Sequence, residues 1–325
     1  MTIRLGWLIG LLLLITAMLM ASPFFLTRDL ITAFFFAFIF ITLASNYDIL
    51  GGFLGYINLG QGAFFGLAGY ITFIIIVKIP VIQNFESFVR IIAVLAALCF
   101  TLFFAWISSY PLFRLKGAYF SIGTFGLVML LSQLITNLTP ITGGSYGLYI
   151  PKKLYLSLNL AYYLGFALMV SSVALNAILD RSKMGLALKA IRESEIAAAA
   201  TGIPIFRYKL KAFLLSSIPS CLAGSLFVLY SGYIEVNTVL GYDKTLFPVV
   251  IAMLGGSGRL FGPLVGGLIF RGIDVALKNY VFLPVPALGI YGLILMGLGL
   301  FMPKGILDAL YRHKNIIAKV RPRNG

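Results

Sequence analysis

Charge is what this chain has least of. Of its 325 residues only 11% are Asp, Glu, Lys or Arg against 60% hydrophobic, and mean hydropathy is +1.01. A water-soluble domain carries about 25% charged residues, so a soluble globule is excluded. Cysteine is nearly absent as well. Cys99 and Cys221 both lie inside apolar runs, which leaves no disulfide framework and no metal-ligand spacing. The single histidine, His313, falls in a basic C-terminal segment. Acids are scarce: 10 Asp and Glu face 25 Lys and Arg, a net charge of +15. Such an excess can mark nucleic-acid binding, but here the cations cluster at the ends of apolar runs. That is the pattern of loops facing a cytoplasm and anionic lipid, so lipid is the expected contact and nucleic acid is not.

What is present is a series of apolar runs of bilayer length, at 5–22, 30–47, 62–78, 91–111, 117–137, 160–179, 207–231, 244–256, 260–279 and 287–302. The run 244–256 is too short to cross about 30 Å of hydrocarbon unless it is a half-span or borrows flanking residues. The reading is an all-α polytopic transmembrane bundle of about 8–10 spans, with broken helices. The run 5–22 reads as a span rather than a cleaved signal, since it lacks a small-x-small site and Pro23 follows Ser22. With ten spans, Arg4, Arg114, Lys116, the block 181–211 and the tail 303–325 share one side, which places both termini in the cytoplasm.

Three glycine-rich stretches interrupt the runs. Gly51 through Gly62 holds Asn58 and Gln61 and reads as a broken or re-entrant segment, because such backbone survives at membrane depth only against protein or a wet cavity. Close helix packing through Gly62 and Gly66 is the competing reading. Thr142-Gly143-Gly144 lies on the outer side, where consecutive glycines form either an ordinary turn or an anion-binding backbone. Gly255 through Pro263 lacks Gly-Lys-Ser/Thr and follows no strand. No nucleotide site, bound cofactor or catalytic residue is therefore expected in this chain. Arg271, Asp274 and Lys278 share a helical face at spacings of three and four and read as a self-neutralising cluster.

The block 181–211 stands apart, with seven Lys or Arg in a chain otherwise dominated by membrane spans. It reads as a cytoplasmic helix over 184–202 that stops at Gly202 before Pro204. At 100° per residue Met184, Leu188, Ile191 and Glu195 form one stripe, small residues a second, and Lys189, Arg192 and Glu193 a charged third. A helix so patterned is suited to a partner surface; a membrane-surface connector is the alternative.

Glu195-Ile-Ala-Ala198-Ala-Ala-Thr-Gly202 resembles the coupling loop of ABC importer permeases. More specifically, the chain resembles the permeases for branched-chain amino acids. Gly52 through Tyr70, Lys116 through Thr124, Thr142 through Gly144, Gly255 through Gly267 and Leu300 through Gly305 match in order. The resemblance implies one membrane permease domain over 1–325, with a coupling loop at 181–206. Met184, Leu188, Ile191, Arg192, Glu195, Ala198 and Gly202 would couple to the ATPase. Asn58, Gln61, Thr142, Gly143 and Gly144 would border the solute path. It further implies two separate ABC ATPase subunits that use the ATP, a second related permease subunit, an extracytoplasmic solute-binding protein, and the prokaryotic plasma membrane as location. Gln61 stands where the family usually has His, and Asn58 where it usually has Ser, so urea and amide importers on a similar scaffold stay open. A cation-coupled secondary transporter is the rival class. It would need a carboxylate deep in a span, and only Asp48 and Asp274 come near.

Overall fold

Hydrocarbon offers the backbone no hydrogen-bond partner, so apolar runs of this length fold as helices that satisfy themselves. A computed structural model describes residues 25–78 and 86–280, with the single positions Pro23, Gly289, Leu293, Gly297 and Gly305. Apart from those positions, the expected spans 5–22 and 287–302 and the tail 303–325 lie outside the described residues. The chain forms α1 (Arg28–Asp48), which continues as a π-helix over Ile49–Leu54, then α2 (Gln61–Lys78), α3 (Glu86–Leu112), α4 (Ala118–Asn137) and the short α5 (Thr139–Thr142). There follow α6 (Leu158–Arg181), α7 (Lys183–Glu193), α8 (Glu195–Ala200), α9 (Ile205–Ser231), α10 (Val236–Leu240), α11 (Tyr242–Gly255) and α12 (Gly262–Tyr280). Strand is confined, among the described residues, to β1 (Leu148–Tyr149) and β2 (Tyr233–Ile234), paired antiparallel with Leu148 opposite Ile234. The fold is an all-α polytopic membrane bundle.

Among the described residues, six segments are long and apolar enough to cross a bilayer, including Arg28–Leu54 and Val236–Gly255. The second settles the short run at 244–256: α10 and α11 stack through Gly241 into one segment of 20 residues. Within α2, Gln61–Val77 is a shorter apolar helix.

The bundle has an inside and an outside. Of the most apolar stretches, 78% is buried for α9 and 72% for α1, but only 28% for α3 and α4. Helix α9 packs on α2 and α3, while α1 packs on α6, α11 and α12. Glycine sets how closely α9 meets α2: a Cβ on Gly224 would sit 2.0 Å from the Phe65 carbonyl oxygen. The Gly62 and Gly66 pair serves close packing in the same way, against Thr245 and Leu240.

Loops gather at two ends. At one end the π-helix segment meets α7, and Gly52 abuts Gly258. Gly305 abuts Gly256 at that same end. At the other, β1 pairs with β2, and Arg90 donates to the Lys153 carbonyl at 3.3 Å.

Candidate coupling site and buried polar seam

Helix α7 begins in a tight corner. Ser182 accepts a hydrogen bond from the Gly185 N–H at 3.0 Å, and a Cβ on Gly185 would lie 1.9 Å from the Leu179 carbonyl oxygen. The expected continuous helix over 184–202 is corrected here. It breaks at Ser194, whose backbone is extended (φ −161°, ψ 116°) and whose hydroxyl caps the Ala197 N–H at 3.2 Å. Serine satisfies a helix start better than a helix interior, and Glu195 then stands in the first turn of α8, where a carboxylate is favoured. The predicted stop is as read: α8 ends at Ala200, and Gly202 takes φ +83°, a conformation glycine adopts without strain.

The stripe expected to meet a partner instead seats α7 and α8 on their own bundle. Leu188, Ile191 and Ala198 are buried, and Met184 packs beside them, in a cluster with Ile49, Leu50, Phe53, Leu54 and Phe213. Amphipathicity marks which face is apolar, and here the nearest apolar surface is the chain's own. Glu195 closes the contact. Its Oε1 accepts from Lys209 Nζ at 2.5 Å and from the Tyr56 hydroxyl, and Lys209 Nζ lies 2.8 Å from that hydroxyl and 4.5 Å from the Tyr56 ring centre. Burial alone would raise the Glu195 carboxyl. Hydrogen bonds from Lys209 and Tyr56, with the charges of Lys209 and Lys116, outweigh it and hold the pKa below the usual carboxylate value. Arg192 adds a second tie, donating from Nη1 to the Gly52 carbonyl at 2.7 Å. The residues facing outward are different ones: Leu186 is 63% exposed and Ile196 86%, with Lys183, Glu193, Ala197 and Ala199 beside them.

Asn58 and Gln61 lie within the bundle, both fully buried. Residues 55–60 are non-helical, so the expected break is present. Asn58 Oδ1 accepts from the Gly60 N–H at 2.8 Å. Gln61 Oε1 accepts from the Ser220 hydroxyl at 2.5 Å, and that hydroxyl accepts from Asn46 Nδ2 at 3.2 Å. Ser172 donates to Asn46 Oδ1 at 3.0 Å, and Asn176 donates to the Ser45 carbonyl at 2.8 Å. A neutral polar seam thus joins α1, α2, α6 and α9. Gln61 Nε2, Ser45 Oγ and Asn176 Oδ1 are buried in it without a partner, and Asn58 Nδ2 is likewise unpartnered in the non-helical segment before α2. Thr142, Gly143 and Gly144 stand at the far end, where Thr142 donates to the Ile135 carbonyl at 2.6 Å and accepts from the Gly144 N–H at 3.2 Å. They do not join Asn58 and Gln61 in one site. Of the expected ionic cluster, Arg271 and Asp274 are paired, while the Lys278 side chain lies outside the described residues.

The sequence reading missed Tyr56, Lys209, Asn46, Ser172 and Ser220. Lys209 carried a signal: it sits at the mouth of an apolar run, where a cation needs a counter-ion. The others are single polar residues in apolar helices, and nothing local links them.

A polytopic helical membrane protein with a broken span and a polar helical pair clamped to one end is a transport-type architecture. The family described as branched-chain amino acid transport system, permease component, matches residues 30–302. The chain belongs to that family of ABC importer permeases. It is 26% identical to the high-affinity branched-chain amino acid transport system permease protein LivM of Escherichia coli K12, over 93% of this chain and 73% of the relative. It is 24% identical to the LivH permease protein of the same strain, over 82% and 90%. A Klebsiella pneumoniae autoinducer 2 import permease, LsrC, is 28% identical over 50% of this chain and 48% of its own length. No solved structure matches the chain.

Proposed function

We propose that this chain is the transmembrane subunit of an ATP-driven importer for branched-chain or related amino acids, coupled to separate ATPases through residues 183–202. The observation that carries it is the construction of α7 and α8. Their inner face is tied to the bundle by Glu195, Lys209 and Tyr56, while their outer face offers Leu186 and Ile196 to water. Exposed apolar residues on a pair so firmly held suit a docking surface. Met184, Leu188, Ile191 and Ala198 seat the pair, Arg192 and Glu195 tie it, and Gly202 turns the chain back into α9.

A push on α7 and α8 reaches two places. Lys209 belongs to α9, which also carries Ser220, the partner of Gln61. Arg192 and Tyr56 reach the π-helix and the segment before Asn58 and Gln61. ATP binding by the partner subunits would thereby bias the bundle between two states, with Asn58 and Gln61 bordering the path and Thr142-Gly143-Gly144 near the entry. This chain binds no cofactor in this reading; ATP is used by the two ATPase subunits. The two Escherichia coli relatives are different permease proteins of one named system, which supports pairing with a second related permease. A solute-binding protein supplies the other face. The whole of 1–325 acts as one multi-pass domain in a prokaryotic plasma membrane, with both termini cytoplasmic. Sealed vesicles containing the full complex test this. Uptake of leucine, isoleucine or valine that needs ATP and the binding protein is expected. Uptake driven by an ion gradient without ATP overturns it, and preference for urea moves the solute class.

A further inference from the structure

Among the described residues, one large crevice lies away from both polar assemblies. It has a volume of about 620 Å³ and opens between α3, α6 and α9 at the end opposite α7 and α8, within the range of about 300–1,000 Å³ seen for small-molecule sites. Its wall is almost wholly aliphatic, and no acidic side chain lines it among the described residues. On α6 the lining runs from Leu160 to Ser171, a depth of about 16 Å at 1.5 Å per residue. That equals about half of a 30 Å hydrocarbon core, which is the acyl layer of one leaflet. The floor is apolar as well, because the Ser171 hydroxyl is donated to the Leu168 carbonyl at 2.8 Å. The crevice opens sideways towards the bilayer: Ile91 is 58% exposed and Leu164 43%.

Its mouth is cationic. Arg90 lines the rim, and its guanidinium bonds the Lys153 carbonyl at 3.3 Å, so the backbone of the exposed pair Lys152 and Lys153 runs beside that residue. Guanidinium matches phosphate geometry, and ammonium groups add charge at the headgroup level. We propose that this crevice is a binding site for an anionic phospholipid, with one acyl chain along α6 and the phosphate on Arg90, Lys152 and Lys153. Depth fixes the chain and charge fixes the headgroup.

The test uses the full chain in detergent, given dioleoyl phosphatidylglycerol or dioleoyl phosphatidylcholine, with retained lipid measured by native mass spectrometry. Retention of phosphatidylglycerol is expected to exceed phosphatidylcholine by about tenfold or more. The combined variant Arg90→Gln, Lys152→Gln, Lys153→Gln should retain the two lipids equally. Ala167→Trp, which fills the crevice from its exposed wall, should lose both at an unchanged melting temperature. Equal retention by the unaltered chain overturns the proposal, as does undiminished retention by Ala167→Trp. A cysteine at Leu164 that cross-links fully to a second permease chain in vesicles overturns it too, by placing a helix in the crevice.

Discussion

Two of the polar assemblies buried among the described residues are built on opposite terms. The clamp at α8 is ionic and closed: Glu195, Lys209 and Tyr56 satisfy one another, and Arg192 finds the Gly52 carbonyl. The seam between α1, α2, α6 and α9 is neutral and incomplete, with Gln61 Nε2 and Asn176 Oδ1 left over. The difference follows from depth. A charge within a span is costly; the clamp sits at an end of the bundle, where one partner stays partly wet, and the Glu195 side chain keeps 28% exposure against 4% for Lys209. Amides and hydroxyls are cheaper to bury, so a leftover donor such as Gln61 Nε2 can stay inside the bundle. The clamp therefore specifies one geometry, and the seam leaves room for another.

The sharpest way to break the comparison is to reverse a charge in the clamp. Glu195→Arg sets a cation against buried Lys209, and disrupting a buried pair costs about 3–5 kcal/mol. Uptake should be lost and ATPase co-purification should fall, with membrane insertion intact. Wild-type levels of both would remove the support for coupling through α8. In the seam, Ser220→Ala strips the partner from Gln61 Oε1 and from Asn46 Nδ2 together. A melting experiment should register about 1–3 kcal/mol of destabilisation, part of it recovered when Gln61→Met removes one orphan. No recovery would mean that the seam is not energetically connected.

The two regions also differ in how far the sequence exposes them. The spans among the described residues were legible because hydropathy acts locally. The 181–206 segment was legible as special for the same reason. Its inner structure was not: Ser194 in a helical pattern reads equally as an interior residue or a cap, and the stripe from Met184 to Glu195 does not say whose apolar surface it faces. Gln61 and Asn58 stood out because glycine surrounds them. Asn46 and Ser220, separated by 174 residues, meet only through tertiary packing.

A smaller effect separates the cap from the clamp. Ser194→Ala removes the bond to the Ala197 N–H, worth about 1 kcal/mol. It should loosen α8 while Lys209 still holds Glu195. Faster amide exchange over 195–200 with near-normal uptake is the expected pair of results; loss of uptake equal to Glu195→Arg would assign coupling to the break itself.

The smallest expected effect at working pH is the clamp's own titration, and its sign is fixed by the geometry. The Glu195 pKa is held below the usual carboxylate value, because Lys209 and Tyr56 bonds with the Lys209 and Lys116 charges overcome burial. A depressed folded pKa means that the ionised form is the one the fold favours. The stabilisation is complete above the unfolded value of about 4.3 and is lost as pH falls through the lower folded value. Between pH 8 and 5, then, α8 should not loosen. A nitroxide at Ile196, which is 86% exposed and outside the clamp, should report constant mobility over that range and a rise only at more acidic pH. Glu195→Gln should abolish the acid-side rise and show its higher mobility at every pH. A transition centred near neutral pH in the unaltered chain would mean that some group other than this carboxylate controls the docking of α8.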